Sequence, residues 1–347
     1  MSNIWVPLEI ENKLKSSLIS EFNTSLGDSR FGHYTNVRTY LLDNIYEQIK
    51  GTQPDLTDHG PGHIQNVLDN INDLLGDQNK DLNCMELNVL CLSVLFHDVG
   101  NIFDRYEHQK NIREVYDQAC PNINGSDKHE EKLIILDICK AHCGESISGD
   151  NDTIRNLKET SKLERKVIRL KILAAILRFA DELAEGPQRT SWFMMKKHMY
   201  SEKSNIFHKY ASCSKVDIDR LNGRICLVYH ISIDLGDESD KSSKDALVSI
   251  DELEAFLGFI YKRIEKLNQE RQYAKHYSSI LFPFKETSAS FNFWYNGQQI
   301  PVDLDPVILS DLVVPGDDPQ KTIVERYKQY KETDLKEVLI KEISSIQ

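Results

Sequence analysis

The chain has 347 residues, 40% of them hydrophobic and 28% charged, enough for one large core or two modest ones. Its 54 acidic residues outnumber the 42 basic ones and leave a formal net charge of -12. That balance argues against sequence-blind binding to long polynucleotides or anionic membranes, because each neutralised phosphate needs a Lys or Arg.

At the start of the chain, MSNIWVPLEIENK lacks the basic and then apolar layout of a secretion signal, and the longest apolar run, Leu87 to Phe96, falls well short of the roughly 20 residues of a membrane span. The seven cysteines show no metal-type pairing and suit a reducing compartment, so a soluble, cytoplasmic protein is expected. Residues 8 to 50 read as helical, with Leu14, Leu18, Ile19 and Phe22 and then Leu41, Leu42 and Ile45 at spacings of three and four. From Pro61 a helical stripe runs through Ile64, Val67, Leu68, Ile71, Leu74 and Leu75, bounded by Gly60-Pro61-Gly62 and Gly76. Leu87 to Val99 is apolar nearly all round, as in a helix at the middle of a bundle, with Gly100-Asn101 as its stop. Two further helices are expected, Glu130 to His142 and Glu164 to Glu185, the second carrying Ile168, Ile172, Leu173, Ile176, Leu177 and Ala180. After Pro187 the pattern changes. Ile206 to Ile233 reads as a hairpin around Asn222-Gly223, a long helix spans about Asp251 to Tyr277, and alternation returns from Ser290 to Val302 around Asn296-Gly297. The tail from about Gln320 is helical and mostly charged. The expected architecture is mainly α, a helical bundle with a smaller α+β subdomain of antiparallel hairpins and one long helix. Its expected segments are 1–54 as N-terminal helical support, 55–200 as the core and 201–347 as the α+β subdomain packed on it.

Six of the eleven histidines, His59, His63, His97, His108, His129 and His142, fall in one short stretch. Histidine is the commonest side-chain metal ligand and acid–base group, so chemistry is sought there first. His63 lies on the buried edge of its stripe, His97-Asp98 in the last turn of the apolar helix, His142 at the end of the next, and Asp181 one turn after Leu177. Burying carboxylates there without partners costs several kcal/mol, and a divalent cation is a natural partner. Plainer readings stand beside that one: Asp98 paired with an Arg such as Arg178, Asp181 paired with Lys171 or capping a helix kink, His63 a satisfied histidine near a helix start. The joint placement of all four at inward helix positions favours the cation.

His63, then His97-Asp98 with Val99-Gly100, then Asp181 in Leu177-Arg178-Phe179-Ala180-Asp181, resembles the HD superfamily of metal-dependent phosphohydrolases, and the spacings of 34 and 83 residues are within the family's use. The strings TDHGPGH, HDVGN and LRFADELAEGPQRTS look like a bacterial branch of unassigned substrate, some of whose relatives accompany antiphage or nucleotide-signalling systems. Specific motifs cover about residues 55 to 190. The resemblance implies an HD-domain helical bundle in which His63, His97, Asp98 and Asp181 bind one divalent ion. Asp98 would bridge to a second ion, with His108 and His142 as its further ligands, and so take part in catalysis directly. Mixed imidazole and carboxylate ligation suits Mn, the favoured ion, or Fe, Ni, Co or Zn better than Mg. Two ions about 3.5 to 4 Å apart would hold a bridging hydroxide and clamp phosphate oxygens.

The sequence departs from the commonest family pattern in two places. Asn101 stands where many relatives have a phosphate-contacting Lys, leaving Arg105, Lys110, Arg178, Arg189 and Lys209 as the candidate phosphate cations. Cys143 follows His142 where many relatives have a second histidine, which thins the ligand set of the second ion. His59 is read as a support for the ligands, a proton donor to the leaving oxygen or a solvated loop residue, and His129 as a general acid at the mouth of the site. The implied activity is hydrolysis of a phosphoanhydride or phosphodiester of a small nucleotide, by a dNTP triphosphohydrolase or a cyclic or oligonucleotide phosphodiesterase. Two alternatives belong to other classes. A metal-dependent single-strand nuclease would need a basic channel, and a non-catalytic nucleotide sensor would be expected to have lost a signature ligand. The expected partners are a small nucleotide substrate, a nucleotide regulator and further copies of the chain in a homo-oligomer, without membrane or extended nucleic acid.

Overall fold

The computed structural model describes residues 5–76, 81–103, 108–121, 126–145, 149–235, 247–316, 318 and 320–346, leaving out the side chains of residues 50, 108–110, 126–127 and 247. The chain divides into two compact units, Met1–Ala184 with Tyr273–Phe282, and Glu185–Gln272 with Pro283–Gln347. The N-terminal helices therefore share a unit with the core helices, and residues 185–200 fall in the second unit.

In the first unit, α1 (Glu9–Phe22) and α2 (Thr24–Leu41) are separated by Asn23, whose positive φ of 74° breaks the helix and whose side chain caps α2 at Leu26 N. A π-helical turn (Leu42–Tyr46) leads into α3 (Glu47–Thr52). Pro61 starts α4 (Pro61–Leu75), with its N–H missing where no helical partner exists, and the predicted apolar stripe is buried. Next comes α5 (Cys84–Phe96), capped by Asn83 through Met85 N and Glu86 N and buried at every residue. A 3₁₀ turn (Val99–Ile102), α6 (His108–Ala119), α7 (Ser126–Ala141), the strands β1 (Ser161–Leu163) and β2 (Lys166–Ile168), and α8 (Leu170–Glu182) complete the run. Helices α1, α2, α4, α7 and α8 all pack on α5, so each of its buried Leu, Val and Phe side chains stabilises the unit by about 1.5–3 kcal/mol.

Two expectations change here. The segment Glu164 to Ile168 is not helical: β1 and β2 pair as an antiparallel hairpin turned by Glu164 and Arg165 at φ 49° and 67°. Helix α5 stops at Phe96 instead of Val99: Asp98 leaves the helical region, and side chains meet two of the last carbonyls. The His97 ring donates to Val94 O at 2.8 Å, and the Tyr46 hydroxyl donates to Leu95 O at 3.0 Å.

The second unit starts with α9 (Trp192–Lys196) and α10 (Glu202–Cys213) and continues with β3 (Ser214–Asp219), β4 (Arg224–Asp234) and β5 (Leu247–Ser249). A long helix, α11 (Leu253–Tyr277), whose residues from Tyr273 on belong to the first unit, is followed by β6 (Glu286–Tyr295), β7 (Gln298–Gln299), β8 (Val307–Ser310), α12 (Ile323–Arg326) and α13 (Glu332–Ile346). The sheet order is β3-β4-β6-β7, with β5 on β4 and β8 on β6. Hairpin β3-β4 turns at Asn222-Gly223, where Gly223 has φ 65° and an added Cβ would lie 2.2 Å from Pro283 O, so only glycine fits. The expected strand from Ile206 is helical as far as Cys213. Strands β4 and β6 run parallel, a pairing that requires a long crossover, and α11 lies in that connection. The fold is mainly α, with, among the described residues, the two-stranded sheet β1-β2 and one six-stranded mixed sheet. Among the described residues no helix is long and apolar enough to cross a membrane.

Candidate metal centre

Four helix ends of the first unit supply the polar cluster. His63 is in the first turn of α4, His97-Asp98 directly follow α5, His142 directly follows α7, and Asp181 is in the last turn of α8. Helix ends are where a backbone can aim two successive side chains at one point, which the body of a helix, turning 100° per residue, cannot do. Asp98 has left the helical region, at φ -112° and ψ 2°, and its carboxylate thereby joins the ring of His97.

One ligand atom each from His63, His97, Asp98 and Asp181 lies within 4.8 Å of all the others. His63 Nε2 is 3.1 Å from Asp181 Oδ1, His97 Nε2 is 3.3 Å from Asp98 Oδ2 and 3.6 Å from Asp181 Oδ1, and His63 Nε2 is 3.8 Å from Asp98 Oδ2. Four donors at about 2.1 Å from a common point lie at most about 4.2 Å apart, so a shift of a few tenths of an ångström per side chain closes the set on an ion. Asp98 divides its two oxygens: Oδ2 also faces His59 Nε2 at 3.8 Å, and Oδ1 faces His142 Nε2 at 3.8 Å. Three of these imidazoles are locked by the main chain. His59, His97 and His142 each donate Nδ1–H to a carbonyl, of Thr57, Val94 and Cys139, which leaves the Nε2 lone pair for the cluster.

The charges are matched only among themselves. Among the described residues Asp98 and Asp181 have no Lys or Arg partner; Lys171 pairs with Glu159, and Arg178 donates to Cys143 O and Thr153 Oγ1. Burial pushes the Asp98 carboxyl up, but the charge of His97, hydrogen bonds from His142 and His97 and the charge of His59 override it and hold it well below the usual range. Asp181 is held low against burial by hydrogen bonds from His63 and His97. Burial lowers His97, yet the charge of Asp98 and hydrogen bonds to both carboxylates raise it to about 9. Such proton-holding by histidines is what two buried carboxylates do without a cation, and a divalent ion would take the place of those protons. Asp181, with 26% of its side chain exposed, is the most open of the four ligand candidates.

Arg105 lies outside the described residues, as do the side chains of His108 and Lys110 on α6. His129, expected at the mouth of the site, is exposed in the first turns of α7 and, at 1.5 Å per residue, about 18 Å along the axis from the helix end that leads to His142. Arg189 and Lys209 belong to the second unit, where they pair with Glu185 and Glu252. Asn101 is fully buried, with neither amide atom hydrogen-bonded to a described residue. One contributor escaped the sequence reading. Tyr46, on the π-helical turn, fixes the end of α5 through Leu95 O, and besides burial the charges of Asp98 and Asp181 raise its hydroxyl pKa.

Residues 53–266, well over half of the chain, match the family model described as HD-CE. No curated protein and no solved structure matches the chain.

Proposed function

The chain belongs to the HD-CE family, and from its HD-type domain and His/Asp cluster we propose that it is a metal-dependent phosphohydrolase cleaving a phosphoanhydride or phosphodiester bond of a small nucleotide. The observation that carries this reading is a pair of carboxylates, Asp98 and Asp181, with only histidines for partners among the described residues, at the meeting point of helix ends.

His63, His97, Asp98 and Asp181 would hold a divalent ion, manganese suiting the mixed donor set, and their two carboxylates would cancel its charge. When bound, such an ion polarises phosphoryl oxygens and lowers the pKa of water. Asp98 Oδ1 and His142 Nε2 offer the first two donors for a second ion. His59 gives one ring nitrogen to Thr57 O and turns Nε2 toward Asp98 Oδ2, from where it would move a proton at a substrate oxygen or complete the ligand set. A net charge of -12 suits a small phosphate ester drawn in by the ion over a long polymer held by the surface. Such a substrate fits a role in antiviral defence or nucleotide signalling.

The test is metal content, with phosphate or pyrophosphate release, over dNTPs, NTPs, cyclic dinucleotides and single-stranded DNA, beside Asp98→Ala. The wild type is expected to hold Mn or a related ion and release product from one nucleotide class, and Asp98→Ala to lose at least about a thousandfold in rate. A wild type without metal, or an Asp98→Ala protein as active as wild type, would sink the proposal. Nicking of DNA alone would replace the small nucleotide by a polymer.

A further inference from the structure

His142 owes its place to the chain around it. Helix α7 ends at Ala141, and the turn that follows exposes the carbonyls of Ala141 and Cys143 on either side of the imidazole. Both are taken by side chains from outside that turn. Thr153 Oγ1 donates to Ala141 O at 2.6 Å, and Arg178 Nη1 donates to Cys143 O at 3.0 Å and to Thr153 Oγ1 at 2.9 Å. The clamp is itself supported: the Arg178 guanidinium lies 4.5 Å from the ring centre of Tyr273. The Tyr273 hydroxyl accepts from Ile154 N at 3.1 Å and donates to Asp152 Oδ1 at 2.9 Å, and the Tyr277 hydroxyl donates to the same oxygen at 2.7 Å. Arg178 and Thr153 are both 8% exposed, so these bonds form away from competing water.

We infer that Arg178 and Thr153 are positioning residues for His142, gripping the main chain on both sides of it so that Nε2 faces Asp98 Oδ1. Arg178 then acts on the centre through His142 instead of touching phosphate. This rests on the reading of the cluster as a metal centre. A mobile ligand must be ordered when the ion arrives; one already ordered binds more tightly, and removing the groups that orient a ligand typically weakens metal affinity 10- to 100-fold.

The test is a Co²⁺ titration of the full-length protein followed by visible absorption, with wild type, His142→Ala, Arg178→Gln, Arg178→Lys and Thr153→Val. Arg178→Gln is expected to weaken Co²⁺ binding about tenfold and to shift the absorption band in the direction seen for His142→Ala. The double variant Arg178→Gln with His142→Ala should be no weaker than His142→Ala alone. Lys keeps the charge but not the planar fork, so Arg178→Lys should resemble Arg178→Gln. Affinity of the Co²⁺-loaded protein for inorganic phosphate should not change. If circular dichroism shows Arg178→Gln unfolded, Thr153→Val decides, since it removes one hydroxyl and keeps the shape. Wild-type Co²⁺ affinity and spectrum in Arg178→Gln and Thr153→Val, with weakened phosphate binding in Arg178→Gln, would overturn the inference and make Arg178 a phosphate clamp. No Co²⁺ binding by the wild type would instead overturn the metal-centre reading, and the inference with it.

Discussion

Each unit buries charge, and the two do it in opposite ways. In the second unit Arg271 is fully buried, and its guanidinium donates to Thr287 Oγ1 at 3.2 Å, Phe284 O at 2.9 Å, Asn268 Oδ1 at 2.8 Å and Asp311 Oδ1 at 2.7 Å. Donors there meet acceptors, and nothing further is asked for. In the first unit two carboxylates and several lone-pair nitrogens face one another, acceptor against acceptor, relieved only by protons on histidines. Completeness separates a polar group that holds a fold from one that awaits a ligand.

The sharpest way to break this contrast is Arg271→Met. Removing the cation from a closed network leaves Asp311 and the other acceptors without it, and a loss of about 3–5 kcal/mol is expected in denaturant unfolding. Metal content of the protein that remains folded should be unchanged; a loss of metal without a loss of stability would erase the distinction between the networks. A smaller effect, on the open cluster, comes from pH. His97 is raised to about 9, so in the metal-free protein its stabilising contribution is complete below the unfolded value of about 6.5 and is lost as pH rises through about 9. Asp98 and Asp181 are held low, so their contributions are lost at the other end, as pH falls below the usual carboxylate range. Metal must displace the His97 proton, so affinity should rise up to about tenfold per pH unit until it flattens near 9, read by Mn²⁺ titration at several pH values. A pH-independent affinity from 6.5 to 9 would show that the histidines hold no proton there. The smallest effect sharpens the comparison from within the first unit. Asn83→Ala removes the cap of α5 and should cost about 1 kcal/mol in unfolding while leaving metal affinity alone, although it touches the helix that carries His97 and Asp98.

Much of the site's neighbourhood was legible because burial leaves periodic traces. The stripe of α4 placed His63, the all-apolar α5 placed His97 and Asp98 at its end, and the face of α8 placed Asp181 inward. What was missed has physical reasons. The hairpin β1-β2 has strands of three residues, too short for alternation to show, and its turn bends at Glu164 and Arg165, neither of which is a turn-type residue. Strands β4 and β6 are parallel partners far apart in sequence, and no local pattern announces such a pairing. The turn at Asn222-Gly223 announces a hairpin but not where its first strand begins, and the residues from Ile206 to Cys213 belong to α10. Tyr46 and Thr153 act through hydroxyl bonds to carbonyls, which depend on where two backbones pass and carry no sequence signature.

The first unit is interrupted: its chain leaves at Ala184 and returns only at Tyr273. On a ribosome, which releases residues in order, His63, His97, Asp98, His142, Arg178 and Asp181 have all emerged long before Tyr273 and Tyr277 arrive to back the clamp. The nascent chain thus carries every described donor of the cluster through a period in which Arg178 has no aromatic floor and Asp152 no phenol. A chain cut after residue 272 would keep that unfinished state permanently, with the donors present and the grip on His142 left without its backing.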